Sequence, residues 1–178
     1  MHWTIDPSHS RIEFSVKHMA ITTVRGHFRS FTFDANTDDA GNLVSLAASI
    51  DATSIDTNVE QRDAHLRSAD FLDVANHPTV TFRSTRIQRR SADEYDVQGD
   101  LTIRGVTKPA RFSMTRSPVV RDPWGNQRAG VEGAGKLHRK DWGLNWNQAL
   151  EFGGVLVGDE VKFTIEVEAV AQKVAAVA

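Results

Sequence analysis

The sequence predicts an all-β protein built as an antiparallel barrel, and three features carry that expectation. The run from Val161 to Ala169 places Val161, Phe163, Ile165, Val167 and Ala169 on one pleat face and Lys162, Thr164, Glu166 and Glu168 on the other, a strand with one wet side. The same alternation returns at Ile12, Phe14, Val16; at Leu46, Ala48, Ile50; at Tyr95, Val97, Gly99, Leu101, Ile103; and at Ala110, Phe112, Met114. Helical spacing is credible over one stretch alone, residues 57–68. So many one-sided strands need a shared apolar interior. A sheet of about eight strands closed on itself supplies one, either packed solid or hollow enough for one small ligand.

Taken in order, Trp3 to Asp6 and Ser10 to His18 read as two strands separated by the turn chemistry of Asp6, Pro7 and Ser8. In Val24 to Asp34 the apolar parity changes from Val24, Gly26, Phe28 to Phe31, Phe33, so the register slips near Arg29 and Ser30, as a β-bulge would make it. The turn Asp38 to Asn42 leads into a strand over Val44 to Asp51. Residues 57–68 form a short amphipathic helix with Asp56 placed as its N-cap, and Phe71 and Leu72 extend its apolar side. Pro78 ends that segment, and Thr79 to Ile87 is strand again. Tyr95 to Ile103 and Ala110 to Thr115 make a hairpin through Arg104 to Pro109, where Gly105 permits positive φ and Pro109 ends the pairing. A strand over Gln127 to His138 precedes a long loop, 140–158, rich in Trp and Gly.

With 178 residues the chain fits one domain, 1–172, followed by a frayed tail, 173–178. Lys and Arg total 21 against 23 for Asp and Glu, so no global positive field draws nucleic acid. No apolar stretch is long enough for an integral membrane segment. The absence of cysteine removes disulfides, thiolate nucleophiles and Cys-ligated zinc. The opening residues Met1 to Ile5 carry neither a basic nor a long apolar leader region, which predicts a cytoplasmic protein as given, or a periplasmic or secreted one if a leader was removed. Seven histidines show no helical i,i+4 pair and no tight alternate spacing, so no metal site is expected.

Several ordered motifs resemble one family. They are Trp3, Ile5, Asp6, Pro7, His9, Ser10; Phe14 to His18; Val24, Arg25, Gly26, Phe28; Ser54 to Thr57; Arg62, Asp63, His65 to Ser68, Asp70 to Leu72; His77 to Thr85; and Gly99 to Pro109. Together they are similar to the YceI-like lipid-binding proteins, from about Trp3 to Ala169. The resemblance implies an extended, lipocalin-like eight-stranded barrel that holds a polyisoprenoid, an isoprenoid quinone or another long-chain lipid, without enzymatic activity or a further cofactor, and often as a dimer. The block from His138 to Gly143 departs from the family's usual Asn, Arg, acidic or polar residue, Phe, Gly, which puts Trp142 at the mouth or lining as a variable contact.

The lining candidates are Phe14, Val16, Phe28, Phe82, Leu101, Phe112, Phe163 and Ile165, with Leu66 and Phe71 of the helical segment and Trp142 at the mouth or lining; ordinary core packing is the alternative. A ten-residue strand would give a hollow bore a length of roughly 33 Å. Burial of a five-carbon isoprene unit is worth about 4 kcal/mol, more than the roughly 0.5–1.5 kcal/mol of one head-group hydrogen bond, so the tail should dominate affinity. Arg62, Asp63 and His65 are candidates for a polar cluster that orients a head group, against the alternative of a helix cap with an internal ion pair. His18 is either a polar contact in the bore or a hydrogen-bonded core residue. Storage or transport of a long-chain amphiphile is the expected function. The alternatives are an enzyme with His65 or His18 as general base and Asp63 as orienter, and a filled barrel acting as an interaction module. A homodimer is left open.

Overall fold

In the computed structural model, which describes residues 1–151 and 153–172, twelve strands make one antiparallel sheet that closes on itself. They are β1 His2–Ile5, β2 Arg11–His18, β3 Thr22–Phe28, β4 Phe31–Thr37, β5 Leu43–Asp51, β6 Ile55–Asp56, β7 Thr79–Arg89, β8 Glu94–Ile103, β9 Val106–Arg116, β10 Val120–Arg121, β11 Gln127–His138 and β12 Val157–Ala171. One α-helix, α1, spans Glu60–Arg67.

The barrel has eight staves, because three of them are strands broken once along their length. β1 and β2 run along the same edge of β12, β1 opposite Ala169 to Ala171 and β2 opposite Val157 to Glu166. Pro7–His9 forms a 3-10 turn between them, with the Asp6 carboxylate accepting from the Ser8 N–H at 3.1 Å. β3 pairs with β2 and β4 with β1, so Arg29 and Ser30 interrupt one stave where the apolar parity changes. β5 and β6 repeat the device around a 3-10 turn at Ala52–Ser54. β7, β8, β9, β11 and β12 complete the ring, closed by the long β11–β12 ladder from Arg128↔Val170 to His138↔Glu160.

Two local expectations are corrected. Pro109 lies within β9, opposite Asp100, and does not end the pairing. β9 meets β11 only over Phe112 to Arg116, so at Pro109 the outer side of β9 is a free edge where a missing N–H costs no ladder bond. The hairpin turn is the two residues Arg104 and Gly105, both at positive φ (49° and 71°), the two-residue geometry that suits the twist of a β-ribbon. Asp56 is not the N-cap of α1. Val59 holds that position without a side-chain bond, and Asp56 accepts instead from the Asn58 N–H at 2.7 Å and from Arg29 Nε at 2.7 Å.

The interior divides into two packed clusters with a space between them. One end is filled by Trp3, Phe33, Ala35, Leu46, Tyr95, Val97, Met114, Val131 and their neighbours, leaving a void of ≈ 30 Å³. The other end is capped by Ile55, Phe71, Leu72, Val80, Ile103, Trp142 and Leu144, drawn from β6, β7, β8, the 68–78 turn and the segment after β11, with Leu66 of α1 packed against them. The expected bore along a whole strand is therefore shortened: the hollow part is the middle and the α1 end, and the Trp3 end is solid. The frayed tail expected at 173–178 falls outside the described residues.

Candidate functional site

Between the two clusters lies a cavity of ≈ 230 Å³. Its wall is the inward face of nearly every stave, including Ile12, Phe14 and Val16 of β2, Ala48 and Ile50 of β5, Phe82 of β7, Leu101 and Ile103 of β8, and Val161, Phe163 and Ile165 of β12. Why so many aromatics do not fill the space is answered by glycine. Gly135 stands opposite Phe163 and Gly26 opposite Phe14 in the ladders. A Cβ on Gly135 would come within 2.5 Å of Phe163 Cζ, and one on Gly26 would collide with the Phe14 ring and lie 2.9 Å from the Asp56 carbonyl oxygen. Gly99 makes the same room for Phe82. Each ring thus reaches over its neighbouring strand's bare backbone. Edge contacts Phe82–Phe112 (5.5 Å between centroids) and Phe112–Phe163 (6.1 Å) lock three of the rings together.

Of the residues singled out from sequence, Phe14, Val16, Phe28, Leu66, Phe71, Phe82, Leu101, Phe112, Phe163 and Ile165 all face this cavity. Five do not. Asp63 is buried but turned to Thr57, accepting from its N–H at 2.9 Å and its hydroxyl at 2.5 Å. Arg62 donates through Nε to Thr57 Oγ1 at 2.7 Å and through Nη2 to the Thr57 carbonyl at 2.8 Å. These two tie the start of α1 to Thr57, just after β6, and with both side chains turned to Thr57 no ion pair joins them among the described residues. His65 pairs with Asp70 at 2.8 Å and stacks edge-on against Phe71 and Trp146 (5.1 and 4.6 Å), covering the cap from outside. His18 ends β2 opposite Val157, which lines the cavity, but is not itself among the lining residues. Trp142 is 3 % exposed and donates its indole N–H to the Leu101 carbonyl at 3.0 Å, bridging the gap where β9 and β11 part.

Sequence reasoning missed Arg139, whose stem lines the cavity and whose guanidinium is buried. It donates to the carbonyls of Gly158 (2.9 Å), Trp146 (2.9 Å), Val157 (3.3 Å) and Leu144. Burial pushes its pKa down, with Asp159 pulling it partly back. This one side chain fastens the loop after β11 over the cavity's end, joining the loop carbonyls of Leu144 and Trp146 to those of Val157 and Gly158 at the irregular start of β12. Nothing in the local pattern separates it from a solvated arginine; its signal is a cation on the inward parity of β11, two residues beyond Leu137.

Among the described residues, one group could supply three metal-ligand atoms, Asp6, His9 and Glu168. Arg128 already occupies it, donating to Asp6 at 2.9 Å, to Asp122 at 2.8 Å and to Glu168. The Ser8 hydroxyl and then Arg128 hold the Asp6 carboxyl well below the usual carboxylate range, and Arg128 does the same for Asp122. The cluster lies on the outer surface, away from the cavity.

A closed eight-stave antiparallel barrel with a short helix over one end and an apolar hollow beneath it defines the class of the molecule. Its particular kinship follows from comparison: the YceI-like domain model matches residues 3–169, and the chain belongs to that family. It is 39% identical over 169 residues to Protein YceI of Escherichia coli O157:H7, covering 93% of this chain and 83% of that one. The fold is shared with the YCEI protein of Campylobacter jejuni (TM-score 0.77, 26% identity, 88% and 90% of the two chains). It is shared also with a polyisoprenoid binding domain from Saccharophagus degradans (TM-score 0.70, 15% identity, 96% and 98%).

Proposed function

We propose that the protein binds, for storage or transport and without catalysis, the hydrocarbon tail of a long-chain amphiphile such as a polyisoprenoid or an isoprenoid quinone. One observation carries this reading: the cavity is walled by apolar side chains that glycine pairing holds back from filling it. An engineered apolar cavity of about 150 Å³ takes up benzene, so ≈ 230 Å³ accommodates roughly nine carbons, about two isoprene units. A longer tail extends out of the cavity or displaces side chains at the α1 end. The binding named for the Saccharophagus degradans domain on the same fold supports the ligand class. The enzymatic alternative loses its proposed apparatus, since Asp63 is engaged by Thr57 and neither His65 nor His18 lines the hollow.

Protein purified without detergent, denatured and extracted into organic solvent should release lipid in stoichiometric amount by mass spectrometry. Phe163→Asp, which sets an unpaired carboxylate in the apolar wall, should abolish the release while the β-sheet circular dichroism persists. Extracts empty across several hosts and growth conditions would sink the proposal.

A further inference from the structure

The β2–β3 hairpin ends in a tip where Met19 and Ala20 hold positive φ (53° and 55°). There the apolar side chains point outward: Ile21 is 75% exposed and Met19 39%, beside Val155 at 49%. The Met19 N–H donates to the Leu156 carbonyl at 2.8 Å, so tip and loop make one apolar rim. Behind the rim the outer wall is cationic. Arg25 of β3, Ser15 of β2, Lys162 of β12 and Lys136 of β11 stand in one cross-strand row, with Lys17 diagonal to Arg25. Lys136 and Lys162 face each other directly, an arrangement that destabilises a sheet. Glu160 pairs with Lys136 at 3.0 Å, while among the described residues Lys17, Arg25 and Lys162 form no ion pair. No carboxylate occurs between Glu13 and Asp34. The same strands turn Val16, Val161 and Leu137 inward to the cavity.

We propose that this tip and cationic row dock the barrel on an anionic lipid bilayer, placing the cavity end where an amphiphile can pass between membrane and barrel. The proposal rests on the cavity binding such a ligand. Apolar side chains enter the bilayer interface while the cations behind them meet lipid phosphates, the arrangement of a two-signal peripheral anchor. Charge selects the partner: Glu160 offsets Lys136, while Lys17, Arg25 and Lys162 are left to meet an anionic surface, and a neutral or cationic one offers them no counter-charge.

Sedimentation with vesicles of phosphatidylcholine alone, or mixed with phosphatidylglycerol, at low and high salt tests it. The protein should pellet with the anionic vesicles and progressively less as salt rises. Ile21→Asp and Lys162→Glu should each lower that partition about tenfold or more, and both variants should bind a fluorescent fatty acid added from solution as the parent does. No pelleting with either vesicle, by protein that does bind the fatty acid, overturns the docking and leaves the cavity reading standing. Partition that neither substitution changes overturns it too. Salt-sensitive, substitution-sensitive pelleting by protein that binds no fatty acid supports the docking and removes the cavity reading.

Discussion

Arg139 and Asp63 are single buried charges whose work is structural. Each is surrounded by partners, four backbone carbonyls for Arg139 and the backbone N–H and side-chain hydroxyl of Thr57 for Asp63. Replacing Arg139 by lysine keeps the charge but not the planar fork, leaving at least one buried carbonyl without a donor. Arg139→Lys should therefore destabilise the protein by about 1–3 kcal/mol in denaturant unfolding. It should also speed proteolysis between Gly143 and Leu156 ahead of global unfolding, because the loop loses its anchor before the sheet loses its ladder. Equal rates in parent and variant would contradict the assignment. The sequence leaves Asp63 open between a head-group ligand and a carboxylate that holds the helix, because a buried structural carboxylate and a site carboxylate have the same one-letter signature, and only three-dimensional contacts tell them apart.

At the scale of elements, the pairing of glycine with phenylalanine across strands keeps the cavity open. Gly135 faces Phe163 across the β11–β12 ladder that closes the barrel, and a methyl group there would also come within 3.0 Å of Phe112 Cβ. Gly135→Ala should push the Phe163 ring off the wall and into the hollow, costing about 1–3 kcal/mol of stability. The amount of extractable lipid per protein should fall in step, and unchanged lipid recovery would show that the ring does not set the volume. The strands themselves were legible with useful accuracy: β11 falls on the predicted Gln127 to His138, and the parity change in the third strand marks the real break at Arg29 and Ser30. Alternation works here because each stave has one apolar and one wet face. It failed at Pro109, since whether a proline blocks pairing depends on which side of its strand has a neighbour.

For the whole molecule, acid stability reports how the barrel's outer seam is held. Arg128 of β11 joins the nearby Asp122 of the β10–β11 turn to Asp6, from the turn before β2, and Glu168 of β12, both distant in sequence. In the folded protein the Ser8 hydroxyl and Arg128 hold the Asp6 carboxyl, and Arg128 holds that of Asp122, well below the ordinary carboxylate range. A depressed carboxylate contributes stability that is fully present above its unfolded pKa and is lost as pH falls through the folded one. Arg128→Met should therefore be less stable than the parent at neutral pH, and the difference should shrink progressively as pH drops below about 3.8, read from thermal unfolding across that range. A gap that stays constant into strong acid would assign the effect to packing instead. Whether the barrel is filled or hollow is also a property of this scale. It depends on which side chains from opposite staves meet across the axis, and near Trp3, Tyr95 and Met114 they do, whereas near Phe14, Phe82 and Phe163 they do not.

By itself the sequence determined the all-β class, the parity of the strands, the position of the short helix and ten of the residues facing the hollow, because each of these follows from a period that neighbouring residues repeat. The tertiary structure alone decided where the hollow stops, that Arg62, Asp63, His65, His18 and Trp142 stand outside it, and that Arg139 ties down its cover. Those outcomes turn on contacts between residues distant along the chain, and the geometry of a closed barrel, in which every stave constrains the one across the axis, is what brings them together.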